Sequence, residues 1–205
     1  MRRDRGALSG PLAGIGFVAS LVALNALADT RYPTPGADAS AIRRYFSREH
    51  RAARLGAVAQ LVCAGALARF TKSVAGVAAR SGGLRAASVA GGALAATSLA
   101  TSALTTVALT RTRGDRDSEG LHRLMFVSGG PVHGVGLGLL VASLGVAGLQ
   151  SGKLPRTLCK TALASSAAGA LSPLALVGKA GLAFIPLGRL SALAVIGVSG
   201  VRLAR

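Results

Sequence analysis

The sequence predicts an all-α fold: a polytopic transmembrane helical bundle of about six spans, with a short basic helix before the second span. Of its 205 residues, 51% are hydrophobic and 15% are charged, whereas a soluble domain carries about 25% charged residues. Because about 18 to 20 apolar residues suffice to cross a bilayer, long charge-free stretches indicate membrane spans. Four stretches lack every Asp, Glu, Lys and Arg: residues 6–28, 86–110, 124–152 and 161–178.

The predicted spans follow one another through a single membrane domain, residues 1–205, with no soluble domain. The charge-free part of the second span covers only residues 55–68, and flanking Arg and Lys side chains that reach the interface extend it to full length. The fifth span ends near Pro173, and the sixth contains Arg189. The approximate boundaries are 8–28, 52–72, 86–110, 124–149, 158–176 and 182–203.

The first span has an alternative interpretation as a cleaved signal peptide, residues 1–28. Arg2, Arg3 and Arg5 precede the apolar run, which ends in a sequence typical of a signal-peptidase site, Ala26-Leu27-Ala28. The run is longer than the roughly 7–15 apolar residues of a usual signal peptide. A retained span is therefore favoured, and cleavage would leave five spans.

The long connection after the first span predicts a short helix that leads into the second span. A turn at residues 32–36 precedes Asp38 and Ser40, either of which can cap the helix. Apolar residues then recur at helical spacing, with arginines on the remaining faces. Such a helix either lies in the headgroup zone of the bilayer or is a solvated basic segment, and both alternatives stay open.

The large positive charge indicates contact with lipid headgroups rather than with nucleic acid. The net charge is +17, yet aromatic residues make up 3% of the chain and there is no Trp, so no aromatic surface for base stacking is expected. Most of the 24 Lys and Arg residues lie in the connections, where they orient spans and meet anionic headgroups. Lys and Arg are equally numerous on the two sides of a six-span chain. The arginines before the first span favour cytoplasmic N- and C-termini.

His133 is the first candidate for an intramembrane polar site. It is predicted to lie near the middle of the fourth span, where ionisable residues are rare and often functional. Pro131 removes a backbone donor and frees the carbonyl of Val127, which predicts a local bend. The imidazole either bonds a carbonyl or hydroxyl across a helix interface or serves a substrate or a proton, and the first role is favoured.

Arg189 and Gln60 complete the candidate site. Arg189 is predicted to lie ~10 Å inside the sixth span, and it has no carboxylate partner because all seven acidic residues lie outside the spans. We therefore expect its side chain to snorkel to the interface. Gln60 is expected to pack or hydrogen-bond between helices.

No catalytic residue, cofactor or metal ligand is predicted. Proton-coupled transporters commonly relay protons through Asp or Glu, and the spans contain neither. The sequence around Ser199 resembles the serine motif of rhomboid proteases, but His133 precedes Ser199 in the chain and nothing in the sequence places the two together. An intramembrane hydrolase with Ser199 and His133 is therefore disfavoured.

Three segments resemble small, roughly six-span bacterial integral membrane proteins of unknown function. They are the Gly-rich run at residues 133–138, the segment 149–156 before the fifth span, and Pro-Gly-Ala-Asp at residues 35–38. The resemblance implies a multi-pass bundle in the bacterial plasma membrane and no activity. The function expected is that of a non-enzymatic accessory or partner-binding protein, with a membrane-protein partner or a second copy as partner. The alternative is a small-molecule carrier or sensor with a site near His133.

Overall fold

The computed structural model describes residues 4–205 and is all-helical over that range. Residues 1–3, with Arg2 and Arg3 of the predicted signal-like start, lie outside the described residues. The predicted all-α class and the short helix before the second span are confirmed. The helices are α1 (Ser9–Ala26), α2 (Ala39–Arg48), α3 (His50–Val77), α4 (Gly82–Leu109), α5 (Asp115–Val127), α6 (His133–Ser151), α7 (Arg156–Leu171) and α8 (Phe184–Ala204).

Within residues 4–205, five helical segments are long and apolar enough to cross a membrane. They coincide with five of the six predicted spans, all but the fifth. In place of the fifth span, 158–176, α7 has 16 residues and continues as a 3₁₀-helix over Ser172–Leu176, which contains Pro173. The five segments are Arg5–Ala26, His50–Val77, Gly82–Leu109, Asp115–Ser151 and Lys179–Ala204.

The long helices form a closed ring in which each packs antiparallel against its neighbours, in the order α1, α3, α4, α6, α7, α8 and back to α1. Gly10 near the start of α1, for example, lies against the carbonyl of Ile196 near the end of α8. One end of the bundle therefore carries the turns at residues 78–81 and 152–155, and we call it the basic end. The opposite end carries α2, the start of α5 and residues 172–183, and we call it the α2 end.

Small residues make many of the contacts between helices, beside core leucines such as Leu137 and Leu140, while many other large aliphatic residues face outward. Ile15, Leu104 and Leu187 are 66%, 62% and 58% exposed, whereas most buried positions of α4 are Gly, Ala, Ser or Thr. Small residues allow helix backbones to approach closely, which favours association within lipid. Gly92 of α4, for example, lies against Thr71 of α3.

The α2 end is held together by an aromatic cluster. Phe46 is fully buried, and its ring makes edge-to-face contacts with the rings of Tyr32 and Tyr45. Burial raises the pKa of Tyr45 to about 12, so its hydroxyl stays neutral, and it donates to the carbonyl of Leu24. Asp38 caps α2 by accepting from the amide of Ala41 at 2.7 Å. The apolar face of α2 is thus buried inside the protein and is not free to enter lipid.

Candidate functional site

The interior site is built around an interruption between α5 and α6. Residues Ser128–Val132 form a π-helical turn that contains Pro131. Proline has no amide hydrogen to donate, and two glycines precede it, so a regular α-helix is weakened at this point. π-Helical turns are rare and occur frequently at functional sites. The bend predicted from Pro131 takes this form.

Side chains from other helices bond the carbonyl groups around the π-turn. The Ser102 hydroxyl on α4 donates to the Met125 carbonyl at 3.2 Å, and the Ser172 hydroxyl donates to the Pro131 carbonyl at 3.0 Å. A guanidinium nitrogen of Arg189 on α8 donates to the Gly129 carbonyl. Irregular backbone within a bundle is tolerated where neighbouring helices satisfy it in this way. The polar groups near the bundle centre therefore serve helix–helix contact.

His133 follows the π-turn and is fully buried. Its Nδ1 lies 2.8 Å from the Ala95 carbonyl oxygen on α4, and because a carbonyl only accepts, Nδ1 carries the hydrogen. The contact depends on close approach of α4 and α6: a Cβ at Gly136 would lie 2.5 Å from the Ala95 nitrogen. The other ring nitrogen, Nε2, is buried and has no hydrogen-bond partner among residues 4–205.

Arg189 points into the bundle. Besides bonding Gly129, its guanidinium carbon lies 4.9 Å from the centre of the Phe17 ring on α1, a favourable cation–π distance. Its Nε is buried without a hydrogen-bond partner in the described part of the chain. Within that part the one salt bridge joins Arg43 and Asp115 at the α2 end, so the charge of Arg189 has no carboxylate partner. The snorkelling conformation expected from the sequence is not the one found.

The structure brings two of the three candidate residues together. Gly129, which binds Arg189, and His133 lie about one turn apart on the same helical segment. Gln60 stays on α3, where its Oε1 is buried, and it makes no side-chain hydrogen bond within residues 4–205. Ser199 is fully buried and its Oγ likewise lacks a partner there, so it is not hydrogen-bonded to His133.

A cavity of about 850 Å³ at the α2 end was missed by the sequence interpretation. His122 of α5 contributes to its wall and is 4% exposed, and its Nε2 is buried without a hydrogen-bond partner in the described residues. The sequence does contain a signal for the start of helix α5, the pair Asp115 and Asp117, because acidic residues favour the first turn of a helix. Recognising that helix would have placed four lining residues on one face of α5: Glu119, His122, Arg123 and Phe126.

The chemistry of the described residues offers no metal centre. Within residues 4–205, no three His, Cys, Asp or Glu side chains are grouped closely enough to hold a metal ion. Cys63 and Cys159 are both buried and unpaired. Comparison with known proteins adds no relative, because no family model, no curated protein and no solved structure matches this chain.

Proposed function

We propose that this chain is an integral protein of the bacterial plasma membrane that acts as a non-enzymatic accessory or partner-binding bundle. One observation carries the proposal: many large aliphatic side chains are exposed on the outer surface, while small and polar residues occur at many of the contacts between helices. This arrangement suits a hydrocarbon solvent, in which close packing and interhelical hydrogen bonds drive association. The bonds around the π-turn are of this kind.

In this proposal the chain crosses the membrane six times, because α7 is extended by the 3₁₀-helix that follows it. Gly138 and Gly145 of α6 lie against Ser166 and Cys159 of α7, respectively, so the two helices run in opposite directions. Leu176, at the end of the 3₁₀-helix, shares a cavity wall with Ile42 of α2. The segment 156–176 therefore leads from the basic end to the α2 end, as a crossing requires.

The basic end is proposed to face the cytoplasm, together with both chain termini. Six of the seven carboxylates lie at the α2 end, and only Asp4 lies at the basic end. The anionic cytoplasmic leaflet attracts segments with uncompensated Lys and Arg. The basic end offers these described residues: Arg5, Arg69, Lys72, Arg80, Arg85, Lys153, Arg156, Lys160, Arg202 and Arg205.

Labelling of single cysteines in intact bacterial cells tests this topology. We expect a membrane-impermeant maleimide to label Thr34→Cys and Val177→Cys from outside, because both positions are exposed at the α2 end. Lys153→Cys at the basic end should react only after permeabilisation. The unmodified chain is the blank, because Cys63 and Cys159 are 0% and 1% exposed.

Each position tests a different part of the proposal. If Val177→Cys behaves like Lys153→Cys, α7 does not cross and the six-span topology is wrong. If all three positions are inverted, the orientation is wrong but the number of crossings stands. Removal of the unmodified chain from membranes by alkaline carbonate would contradict membrane insertion itself.

The accessory role needs a separate test, namely chemical crosslinking in native membranes followed by purification of the chain. We expect one membrane protein in constant proportion to the chain, or a defined oligomer of the chain itself. Recovery of uncrosslinked monomer alone would contradict the partner-binding role.

A second candidate function is that of a carrier or sensor for a small acidic molecule near His133. The observation that favours it is the positive charge of Arg189, which has no carboxylate partner in the described residues. Its guanidinium bonds the carbonyl of Gly129, four residues before His133, whose buried Nε2 has no hydrogen-bond partner in residues 4–205. A charge at the centre of a span costs about 2.5–3.5 kcal/mol. Binding a carboxylate would offset that cost.

Acetate is a suitable probe for this second function. If the site binds small carboxylates, the unfolding temperature of the purified protein in detergent should rise with acetate relative to chloride at equal ionic strength. At an acetate concentration 100 times the dissociation constant, binding would stabilise the folded protein by about 2.7 kcal/mol. Arg189→Gln should abolish the rise, whereas Arg202→Gln, an exposed control on the same helix, should keep it. An unfolding temperature insensitive to acetate in the unmodified protein would overturn this candidate.

A further inference from the structure

An apolar groove runs between the second half of α3 and the first half of α4, near the basic end. Its volume is about 570 Å³. From Ala68 to Ala79 it extends along α3 for about 16 Å, at 1.5 Å per residue. Its wall consists mostly of small side chains: Ala68, Thr71, Ala75, Gly76, Ala79, Val89 and Ala93, together with Lys72 and Arg85.

The packing of α3 against α4 explains why the groove is open. The helices touch where Thr71 packs onto Gly92, so closely that a Cβ at Gly92 would overlap the threonine side chain. Beyond this contact, towards the basic end, no side chain of residues 4–205 fills the space beside Gly76, since a Cβ there meets none of their atoms within 4 Å. The groove is therefore open along the outer surface of the bundle and is wide enough for an alkyl chain.

Two positively charged side chains lie on the wall of this apolar groove. Lys72 is five residues before the end of α3, and Arg85 is three residues after the start of α4, which places both within about 8 Å of the helix ends. Their side chains are exposed. Neither makes a salt bridge, and neither side chain donates a hydrogen bond to residues 4–205. Both are therefore available to an external anion.

We propose that this groove binds one anionic phospholipid, with an acyl chain along the alanine-lined wall and the phosphate between Lys72 and Arg85. The inference rests on the proposed membrane location. Charge complementarity favours a lipid over a partner helix, because two unpaired cations beside an apolar channel match a phosphate joined to an alkyl chain. A headgroup with a net negative charge is favoured over a zwitterionic one. Each basic residue near an anionic membrane surface contributes about 1 kcal/mol to the binding free energy.

Native mass spectrometry of the purified protein in detergent tests the headgroup contact, with phosphatidylglycerol and phosphatidylcholine of identical chains as probes. We expect one retained phosphatidylglycerol, and its affinity should fall about tenfold or more in the double variant Lys72→Gln/Arg85→Gln. The matched control is Arg156→Gln/Lys160→Gln, which removes one Arg and one Lys from exposed positions at the same end. Equal losses in the two double variants would overturn the site.

A second pair of variants tests the apolar contact. Gly76→Leu places a side chain in the groove, whereas Gly65→Leu places the same side chain at another open position of α3 outside the groove. Only Gly76→Leu should reduce binding of both lipids. Competition by inorganic phosphate as effective as that by lipid would show a simple anion site, and equal retention of the two lipids would overturn the preference for anionic headgroups. Cysteine labelling reports insertion independently, so failure of the groove and failure of the membrane location are distinguishable.

Discussion

Replacing Phe46 with alanine is expected to weaken docking of α2 by about 3–5 kcal/mol, the usual cost of removing a buried phenylalanine side chain. Phe46 is 0% exposed, and its ring meets Tyr32 and Tyr45 at centroid distances of 6.1 and 5.1 Å. Edge-to-face aromatic pairs contribute stability in addition to that gained from burying the ring. The cavity left behind would lie in the cluster that α2 forms with Met125 of α5 and Leu109 of α4.

Intrinsic fluorescence reports this change directly. The chain has no Trp and only two Tyr, and both tyrosines belong to the Phe46 cluster, so tyrosine emission during heating follows release of α2. Phe184→Ala is the control, because it makes the same chemical change at a half-buried position outside the cluster. An unchanged transition in Phe46→Ala would show that the cluster does not hold α2.

Replacing Gly136 with alanine is expected to destabilise the contact between α4 and α6 by about 1–3 kcal/mol, the range for overpacking a tight interface. A Cβ at Gly136 would lie 2.5 Å from the Ala95 nitrogen, and one at Gly91 would lie 2.6 Å from the Leu140 nitrogen. Both contacts involve backbone atoms, so no side-chain rotation relieves them. The helices must separate, and the 2.8 Å bond from His133 to Ala95 lengthens.

The matched change is Gly65→Ala, because Gly65 is in a helix interior with no atom within 4 Å of the added Cβ. There alanine should stabilise the helix by roughly 0.5–1 kcal/mol. Unfolding by detergent titration measures both variants, and the ¹⁵N resonance of His133 Nδ1 reports the hydrogen bond to Ala95. Equal stability of the two variants would contradict close packing of α4 and α6.

The long helices were predictable because they have the length and composition of membrane spans, on which lipid imposes two requirements. Backbone groups must be satisfied within the segment, and outward side chains must be apolar. Hydropathy therefore located the five segments, although the fourth, Asp115–Ser151, begins nine residues before the predicted boundary. Helix α5 was missed because it is polar, and its apolar face shows only in contact with α2. The docking of α2 on α5 depends on the same long-range contact, so it could not be predicted from the spacing of residues along the chain.

His133 and Arg189 could be singled out from the sequence, but their hydrogen-bond partners could not. The depth of His133 follows from counting along the fourth span, whereas its acceptor, the Ala95 carbonyl, belongs to another helix 38 residues away in sequence. The direction of Arg189 was mispredicted because the prediction considered only two environments for its guanidinium, water at the interface and lipid. The π-turn provides a third environment, the carbonyl of Gly129 inside the bundle, and the guanidinium donates to it instead.

The π-turn also sets the phase of the helical segment that contains it. Hydrogen bonds from residue i to i+5 accommodate about one residue more than a regular α-helical turn, and one residue corresponds to about 100° of rotation about the axis. The faces of α5 and α6 are therefore offset: α5 presents Met125 to the aromatic cluster, while α6 presents His133 and Gly136 to α4. In an unbroken α-helix, Met125 and Gly136, which are 11 residues apart, would lie within about 20° of each other around the axis. The extra residue of the π-turn increases that angle, so it changes which neighbours the second half of the segment meets without ending the helix.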